Sequence, residues 1–332
     1  MNDDFLKGKK ILFIGIGFYD YESTIKKSLE KYGSTVDFYL EQPSYLLRGL
    51  YGKIINKLKY QKNIVKKHHQ KILHETKAKK YDIVFVLKGE NLTTDFIKAL
   101  RDQQKKATFI MYQWDSVNRV SNALEMIPYF DRVFSFDRID CEKYEKLEFR
   151  PLFFRESKDE EVFDYKYDLV FIGWLHADRM ELIKKVENIC KTKKIKTFIY
   201  LFTGIKTYMS FLLKKQSQNL YIKPLSYHKV NDYHNSAKVI LDLPHPLQNG
   251  LTMRTIEAIG ANKKLITTNQ DIKKYDFYDE DNICILDKEN ITIEKDFFDK
   301  PYKKVSKDIK NKYSLDSWIE DVFTNVQRED RV

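Results

Sequence analysis

One stretch of the chain, 241–269, combines a strand end, a loop and a helix start in the order that many anion sites use. An apolar run ends at Leu243, a loop with two prolines, His245 and Gly250 follows, and a helix is predicted to begin near Thr252. The first backbone N–H groups of a helix have no partner within that helix. The stretch therefore predicts a binding site for phosphate or another anion.

Two charged residues of this predicted helix strengthen the prediction. Arg254 lies in the first turn, where the helix dipole disfavours a cation, and a bound anion would account for it. Glu257 lies about one turn later and could accept hydrogen bonds from a ribose diol. The alternative is an Arg254–Glu257 ion pair at i,i+3 spacing, which is common, weak and independent of any ligand. The loop and the two charges together favour a ligand.

Other motifs of known chemistry are missing. The first strand-like run leads into Gly15 and Gly17, but Asp20 stands where a dinucleotide-binding fingerprint needs its third glycine. The sequence has no phosphate-loop, HExxH, GxSxG or kinase-type lysine motif. Its three cysteines lie far apart and form neither a disulfide framework nor a CxxC metal site. Neither a metal centre nor a serine nucleophile is predicted.

Short apolar runs recur along the chain with amphipathic stretches between them, which is typical of strands buried on both faces of a parallel sheet. The predicted strands are 11–17, 34–40, 82–89, 107–113 and 132–136 in the first half, and 168–174, 196–202, 238–243, 264–268 and 282–286 in the second. Helices are predicted between them, including 179–190 and 252–260. Strands that alternate with helices predict an α/β fold.

The length of 332 residues suits two domains of about 150–170 residues each. The charged stretch 155–167 is the best candidate for a linker. The sequence therefore predicts two similar α/β domains, 1–160 and 161–332, with a cleft between them.

The net charge of +11 favours anionic partners without naming one. Segment 52–80 carries ten lysines and one acid, Glu75. It predicts either a helix that lies on an anionic membrane surface, or a domain helix whose apolar stripe packs on the sheet. No nucleic-acid module accompanies the lysines, so nucleic acid is not an expected partner. No run of 18 apolar residues and no signal peptide is found, and we expect a cytoplasmic protein, at most peripheral at the inner face of the cell membrane.

The run 249–269, NGLTMRTIEAIGANKKLITTN, resembles the donor-site segment of glycosyltransferases with the GT-B fold. It is most similar to the bacterial group related to spore-maturation and surface-polysaccharide transferases. Segment 168–179, DLVFIGWLHADR, resembles the first strand and loop of the C-terminal domain of that fold, and 109–116 and 132–140 are similar to segments of its N-terminal domain. The resemblance implies two Rossmann-like domains that face each other across a cleft, with the acceptor mainly on the first domain and the nucleotide-sugar on the second.

The resemblance also implies the roles of individual donor-site residues. Glu257 would bind the ribose, Arg254 and Thr252 would lie near phosphate, and the segment from Gly173 to Arg179 would approach the diphosphate. The remaining donor-side candidates are His176, His245, Asn249 and Gly250. The His245-Pro246 pair is similar to a pair in transferases that use cytidine-monophosphate sugars. Many relatives carry a glutamate where this chain has Asn249, so the contacts to the sugar are expected to differ.

A transferase that inverts the anomeric centre needs a base for the acceptor hydroxyl. Asp20 and Asp115 follow predicted strands of the first domain and are the candidates. The alternatives are that Asp20 and Glu22 cap a helix and that Asp115 caps a loop. Trp114, next to Asp115, is either a surface for sugar stacking or a buried aromatic.

The function implied by the resemblance is transfer of a sugar from a nucleotide-sugar donor to a cell-surface polysaccharide or glycolipid. The reaction would be metal-independent and use no cofactor, since the nucleotide-sugar is a substrate, and the acceptor would be a saccharide or a lipid-linked saccharide. The alternative is a non-catalytic protein of the same fold that binds a nucleotide or a sugar.

Overall fold

The computed structural model describes residues 5–17, 20–47, 61–120, 122–155, 165–175 and 179–324. The chain divides into two compact units. Unit 1 comprises Met1–Leu152 and Leu315–Val332, and unit 2 comprises Phe153–Ser314.

Unit 1 contains a six-stranded parallel sheet with the order β2-β1-β3-β4-β5-β6. Its strands are β1 Lys10–Gly15, β2 Thr35–Leu40, β3 Ile83–Leu87, β4 Thr108–Gln113, β5 Arg132–Ser135 and β6 Leu147–Phe149. Its helices are α1 Tyr21–Lys31, α2 Ser44–Leu47, α3 Gln61–Thr76, α4 Thr94–Gln103, α5 Ala123–Met126 and α6 Arg138–Lys143, with 3₁₀ turns at Val117–Arg119 and Ile127–Tyr129. Because the strands are parallel, their carboxyl ends share one edge of the sheet.

The strands of unit 1 form because both of their faces are covered. All five residues of β3 are buried, and Leu12 and Ile14 of β1 belong to a core cluster with Ile97 and Leu100 of α4. The uninterrupted apolar runs in the sequence reflect this two-sided burial.

The opposite face of the unit 1 sheet is covered by the last helix of the described residues. This helix, Leu315–Phe323, is named α13 below, after the helices of unit 2 that precede it. Its Trp318 has no exposed surface, and the ring centroid lies 4.8 Å from that of Tyr112 and 6.1 Å from that of Phe85. The predicted second domain, 161–332, is therefore wrong at its C-terminal end, because the aromatic stripe of α13 completes the core of unit 1.

Unit 2 contains a second six-stranded parallel sheet, with the order β12-β11-β10-β7-β8-β9. Its strands are β7 Tyr167–Trp174, β8 Thr197–Phe202, β9 Leu220–Tyr221, β10 Ala237–Asp242, β11 Lys264–Thr267 and β12 Ile283–Ile285. Its helices are α7 Arg179–Thr192, α8 Ile205–Leu213, α9 Tyr227–Asn235, α10 Met253–Gly260, α11 Asp296–Asp299 and α12 Lys307–Lys312, with a 3₁₀ turn at Gln270–Lys274. This is the strand order of the Rossmann fold, and it reverses direction between β7 and β10.

The chain enters unit 2 earlier than the predicted boundary at residue 160. Phe154 donates its backbone N–H to Tyr313 at 2.8 Å and packs against Gly260 at the end of α10. A Cβ at Gly260 would lie 2.5 Å from Cγ of Phe154, so only glycine permits this approach. Most of the predicted linker, 156–164, lies outside the described residues.

The predicted α/β class and all ten predicted strands are confirmed. The sequence missed β6 and β9, which have three and two residues and are too short for a hydrophobic pattern. None of the helices in the described parts of the chain is long and apolar enough to cross a membrane.

Candidate functional site

The carboxyl ends of β7 and β10 meet where the strand order of unit 2 reverses, and open α/β sheets bind ligands at such a point. Asp242, the last residue of β10, lies there with no exposed surface. Its carboxylate accepts hydrogen bonds from Nη1 of Arg254 at 2.6 Å, from Oγ1 of Thr252 at 2.9 Å and from Oγ1 of Thr255 at 2.7 Å. One buried negative charge thus holds the start of α10 against the end of β10.

Arg254 reaches from α10 across the end of β7. Its Nη2 donates to the carbonyl of Ile172 at 2.6 Å, and its guanidinium lies 5.1 Å from the ring centroid of Phe171. A Cβ at Gly173 would lie 3.1 Å from this Nη2 and 3.0 Å from Cζ of Phe171. The predicted glycine therefore leaves room for the arginine.

The predicted anion beside Arg254 in the first turn of α10 is a residue of the chain itself, Asp242. The side chain of Arg254 is still 19% exposed. A role in phosphate binding therefore stays a prediction, and a phosphate at this site would meet an arginine whose position is already set by Asp242, Ile172 and Phe171.

Arg179 connects the two strand ends from the other side. It begins α7 and donates from Nη1 to the carbonyl of Trp174, at the end of β7, and from Nη2 to the carbonyl of Leu243, just after β10. The residue is 9% exposed. Its contacts position the loops that follow both strands. The predicted phosphate contact of Arg179 is untested, and His176 lies outside the described residues.

The loop between β10 and α10 is stabilised by side-chain amides. Nδ2 of Asn269 donates to the carbonyl of Asn249 at 2.8 Å, and Nε2 of Gln248 donates to the carbonyl of Gly250 at 3.3 Å. Nδ1 of His245 accepts the backbone N–H of Leu247 at 3.2 Å. The loop is thus ordered by its own polar groups.

The start of α10 is capped by Thr252, as a helix beginning near this residue requires. Its Oγ1 accepts the backbone N–H of Thr255 at 3.3 Å while its hydroxyl proton goes to Asp242. The N–H groups of Met253 and Arg254 belong to the first turn, which has no acceptors within the helix. These groups are the backbone donors that the sequence assigned to an anion.

Glu257 pairs with Arg155, which is 102 positions away in the sequence. Nε and Nη2 of Arg155 donate to the same carboxylate oxygen at 3.2 and 3.0 Å, and the guanidinium carbon lies 3.2 Å from the ring centroid of Tyr227. The alternative Arg254–Glu257 pair is therefore wrong, because each residue has another partner. The sequence missed Arg155, since no local pattern links the entrance of unit 2 to the middle of α10.

At the carboxyl edge of the unit 1 sheet, Asp115 is held by two cations. Its carboxylate lies 2.8 Å from Nζ of Lys88 and 2.6 Å from Nη1 of Arg119. Trp114, beside it, is 7% exposed, and its ring centroid lies 5.4 Å from that of Tyr21. Of the two alternatives for Trp114, the structure thus shows the buried aromatic. The Asp115 carboxylate is thus paired within the chain, and its role as a base stays a prediction.

Asp20 is exposed at the start of α1 and adopts a left-handed backbone conformation with φ of 60°. Its side chain makes no capping hydrogen bond, so the capping alternative is wrong for Asp20. Glu22 instead is buried, and its Oε1 accepts the backbone N–H of Gly17 at 2.7 Å. A carboxylate of the chain thus occupies a backbone donor of the loop between β1 and α1, in agreement with the missing dinucleotide fingerprint.

Sequence reasoning missed Glu41, which follows β2 at the same edge and is 1% exposed. Its Oε1 accepts from Nδ2 of Asn91 at 2.6 Å, while its Oε2 is buried without a hydrogen-bond partner. Burial raises the pKa of this carboxyl from 4.5 to about 7. His69 of α3 fixes the segment by donating from Nε2 to the Glu41 carbonyl at 3.0 Å. The only sequence signal was a glutamate directly after an apolar strand.

No protein-family model matches this chain, and no curated protein matches it in sequence. Among solved structures, the UDP-GlcNAc 2-epimerase from Neisseria meningitidis bound to UDP-GlcNAc is similar with a TM-score of 0.52 and 13% identity, over 94% of this chain and 98% of that chain. The UDP-GlcNAc 2-epimerase from Methanocaldococcus jannaschii has a TM-score of 0.49 and 12% identity, over 84% and 89% of the two chains. The calicheamicin glycosyltransferase CalG4 has a TM-score of 0.45 and 10% identity, over 95% and 97%.

At these identities the similarity concerns the fold alone. Of the three structures, the Neisseria epimerase supports the fold, because its TM-score is above 0.5. The chain is an α/β protein with two Rossmann-like domains and has the GT-B fold, as the resemblance of 249–269 predicted.

Proposed function

We propose that this chain is a metal-independent glycosyltransferase that moves a sugar from a nucleotide-sugar donor to a saccharide or lipid-linked acceptor of the cell surface. The observation that carries the proposal is the group at the switch point of unit 2. There the buried Asp242 holds Arg254 and Thr252 at the start of α10, beside the glycine that ends the apolar part of β7. Such a switch point is where Rossmann-type sheets bind nucleotides.

In this proposal the first turn of α10 and Arg254 bind the phosphates, and Glu257 binds the ribose. The positions of Arg254 and Glu257 are set in advance by Asp242 and Arg155, so little side-chain entropy is lost when a nucleotide binds. Gly173 leaves space for Arg254 and permits a close approach of the diphosphate to the backbone. The sequence resemblance supports these roles independently of the geometry.

The transfer step joins the acceptor oxygen to the anomeric carbon and breaks the bond from that carbon to the donor phosphate. The acceptor hydroxyl loses its proton to a base, and the phosphate leaves with the additional negative charge. Arg254, Arg179 and the start of α10 supply positive charge for the leaving group without a metal ion. We propose Glu41 as a third candidate base, in addition to the predicted candidates Asp20 and Asp115. A carboxyl with a pKa of about 7 exchanges a proton near neutral pH.

The donor is tested with a thermal-shift screen of UDP-, GDP-, CMP- and dTDP-sugars. A ligand at a hundred times its Kd stabilises the folded state by about 2.7 kcal/mol, which raises the melting temperature of a unit of this size by about 5–10 °C. UDP-GlcNAc belongs in the screen because the Neisseria epimerase structure was determined with it. No shift with any of these donors would refute the proposal.

The site is tested with Glu257→Ala, and the matched control is Glu181→Ala, which removes an exposed glutamate of unit 2. Donor affinity should fall with the first change and stay unchanged with the second. Equal affinity in both variants would refute the assignment of Glu257. Product analysis then separates the reactions: a glycosylated acceptor supports the transferase, an epimerised nucleotide-sugar indicates the chemistry of the fold neighbour, and binding without any product indicates the non-catalytic alternative.

We also propose that the protein acts in the cytoplasm, peripherally at the inner face of the membrane. The lysines of 52–80 were the predicted contact, and 52–60 lie outside the described residues. In the described part, Val65 and Ile72 of α3 are buried in the core of unit 1. The apolar stripe of α3 thus packs on its own unit, and only the lysine face of this helix remains for an anionic surface.

A further inference from the structure

Helix α8, between β8 and β9, carries apolar residues on two adjacent faces, one turned to its unit and one exposed. Tyr208 and Phe211 are half-buried and pack against the core cluster of unit 2. None of the nine residues of α8 is buried. The helix is therefore fixed to its unit by one side only, and its other side needs a separate explanation.

The outward side of α8 is a continuous apolar stripe. Ile205 is 55% exposed, Met209 47%, Leu212 44% and Leu213 82%. Their spacing of i, i+4, i+7 and i+8 places them on one face of the helix. Eleven large hydrophobic side chains are exposed in the described residues, and four of them lie in these nine positions. Apolar exposure of this density marks a surface that contacts a partner or a membrane.

The stretch of sequence that contains the stripe carries only positive charge. Lys206 lies within α8, and Lys214 and Lys215 follow it directly, all of them exposed. The whole stretch 188–231 contains nine lysines and no aspartate or glutamate. A partner that fits this surface must offer an apolar layer together with negative charge, and a bilayer with anionic lipids offers both.

Interfacial aromatic residues lie beside the start of α8. Trp174 and Tyr221 are 43% and 39% exposed, and they pair in register with Phe202 on either side. The ring centroids of Trp174 and Phe202 lie 5.1 Å apart, and α8 begins three residues after Phe202. Tryptophan and tyrosine prefer the boundary between lipid tails and water.

We propose that α8 is a membrane-docking helix, whose stripe of Ile205, Met209, Leu212 and Leu213 enters the surface of an anionic bilayer while the adjacent lysines contact lipid headgroups. The inference goes beyond sugar transfer and does not depend on it, since lipid binding is measured without any donor or acceptor.

The test is co-sedimentation of the full chain with vesicles of equimolar phosphatidylcholine and phosphatidylglycerol, and with vesicles of phosphatidylcholine alone. Met209→Glu with Leu213→Glu should weaken binding to the anionic vesicles at least about tenfold, because it removes apolar contact and adds repelling charge. The matched control, Leu124→Glu with Ile139→Glu, adds the same charge at two exposed hydrophobic positions of unit 1 and should bind like the unchanged protein. All four sites are exposed, so thermal unfolding should change little.

The contribution of the lysines to vesicle binding is tested by two variants that remove the same amount of charge. Replacing Lys206, Lys214 and Lys215 by Gln should weaken anionic-vesicle binding about a hundredfold, at about fivefold for each lysine. Replacing Lys66, Lys67 and Lys71 of α3 by Gln removes the same charge and should weaken binding by less than about tenfold, because α3 offers its lysines but no apolar contact.

Three results would overturn the proposal: equal loss in the two lysine variants, full binding by the α8 variant with the two glutamates, or no binding of the unchanged protein to anionic vesicles. Sedimentation velocity without lipid adds a fourth. Self-association at micromolar concentration that the α8 glutamates abolish would assign the stripe to a second copy of the chain.

Discussion

Replacing Glu41 by Gln tests whether the buried carboxyl at the end of β2 is protonated near neutral pH. Its pKa is raised by burial to about 7, against 4.5 in the ordinary state, so the folded chain binds this proton more tightly than the unfolded chain does. The associated stability is fully present below pH 4.5 and is lost as the pH rises through 7. From the two pKa values, the raised pKa lowers the free energy of unfolding by about 1 kcal/mol at pH 5 and by about 3 kcal/mol at pH 8, relative to a pH well below 4.5.

Glutamine keeps the shape of the side chain and an acceptor for Asn91, but it does not ionise. The free energy of unfolding of Glu41→Gln relative to the unchanged protein should therefore rise by about 2–3 kcal/mol between pH 5 and pH 8. Glu125→Gln, at an exposed glutamate of unit 1, makes the same change of charge and should stay within about 0.5 kcal/mol at both pH values.

The assay can be restricted to unit 1. The chain has three tryptophans, and replacing Trp174 by Phe leaves Trp114 and Trp318, which are both buried in unit 1. Urea unfolding followed by tryptophan fluorescence in this background then reports the stability of the unit that contains Glu41. A difference between the two proteins that does not change with pH would show that Glu41 stays ionised throughout, and the proposal of Glu41 as a candidate base would fall with it.

Three further changes test the site and the domain assignment. Gly173→Ala should destabilise unit 2 by about 1–3 kcal/mol and displace Arg254, whereas Gly204→Ala, with nothing within 4 Å of its added Cβ, should be nearly neutral; equal melting temperatures would contradict this. Asp242→Asn should lower the melting temperature by about 6–12 °C, since about 3 kcal/mol is lost when Arg254 loses its partner, and calorimetry measures it. Trp318→Ala should destabilise unit 1 by about 3–5 kcal/mol, with hydrogen exchange accelerated in β3 and unchanged in β10; the reverse pattern would refute the assignment of α13.

The fold could be predicted from the sequence because its signals are local. A parallel strand covered on both faces needs an uninterrupted apolar run, and ten of the twelve strands in the described residues have one. The start of α10 was equally predictable, because a threonine cap after a loop of proline and glycine is a local pattern. Residues 249–269 also carry the resemblance to GT-B transferases within a single segment.

The pairings of charged residues required the tertiary structure. Arg254 with Glu257 and Arg254 with Asp242 are equally reasonable in the sequence, and the approach of β10 to α10 selects the second. Arg155 meets Glu257 because the entrance of unit 2 runs along α10, and Glu41 has a raised pKa because the surrounding chain excludes water from it.

The same division holds for the two amphipathic helices and for α13. Sequence alone determined that 52–80 carries ten lysines in a partly apolar pattern, and it gave no prediction for 205–213 or for Trp318. Only the tertiary structure decided that α3 buries its stripe, that α8 exposes one, and that Trp318 belongs to unit 1. The physical reason is that the hydrophobic effect is non-directional and depends on the apolar area removed from water. An apolar helix face can therefore pack against any apolar surface, and only the folded chain decides which surface lies next to it.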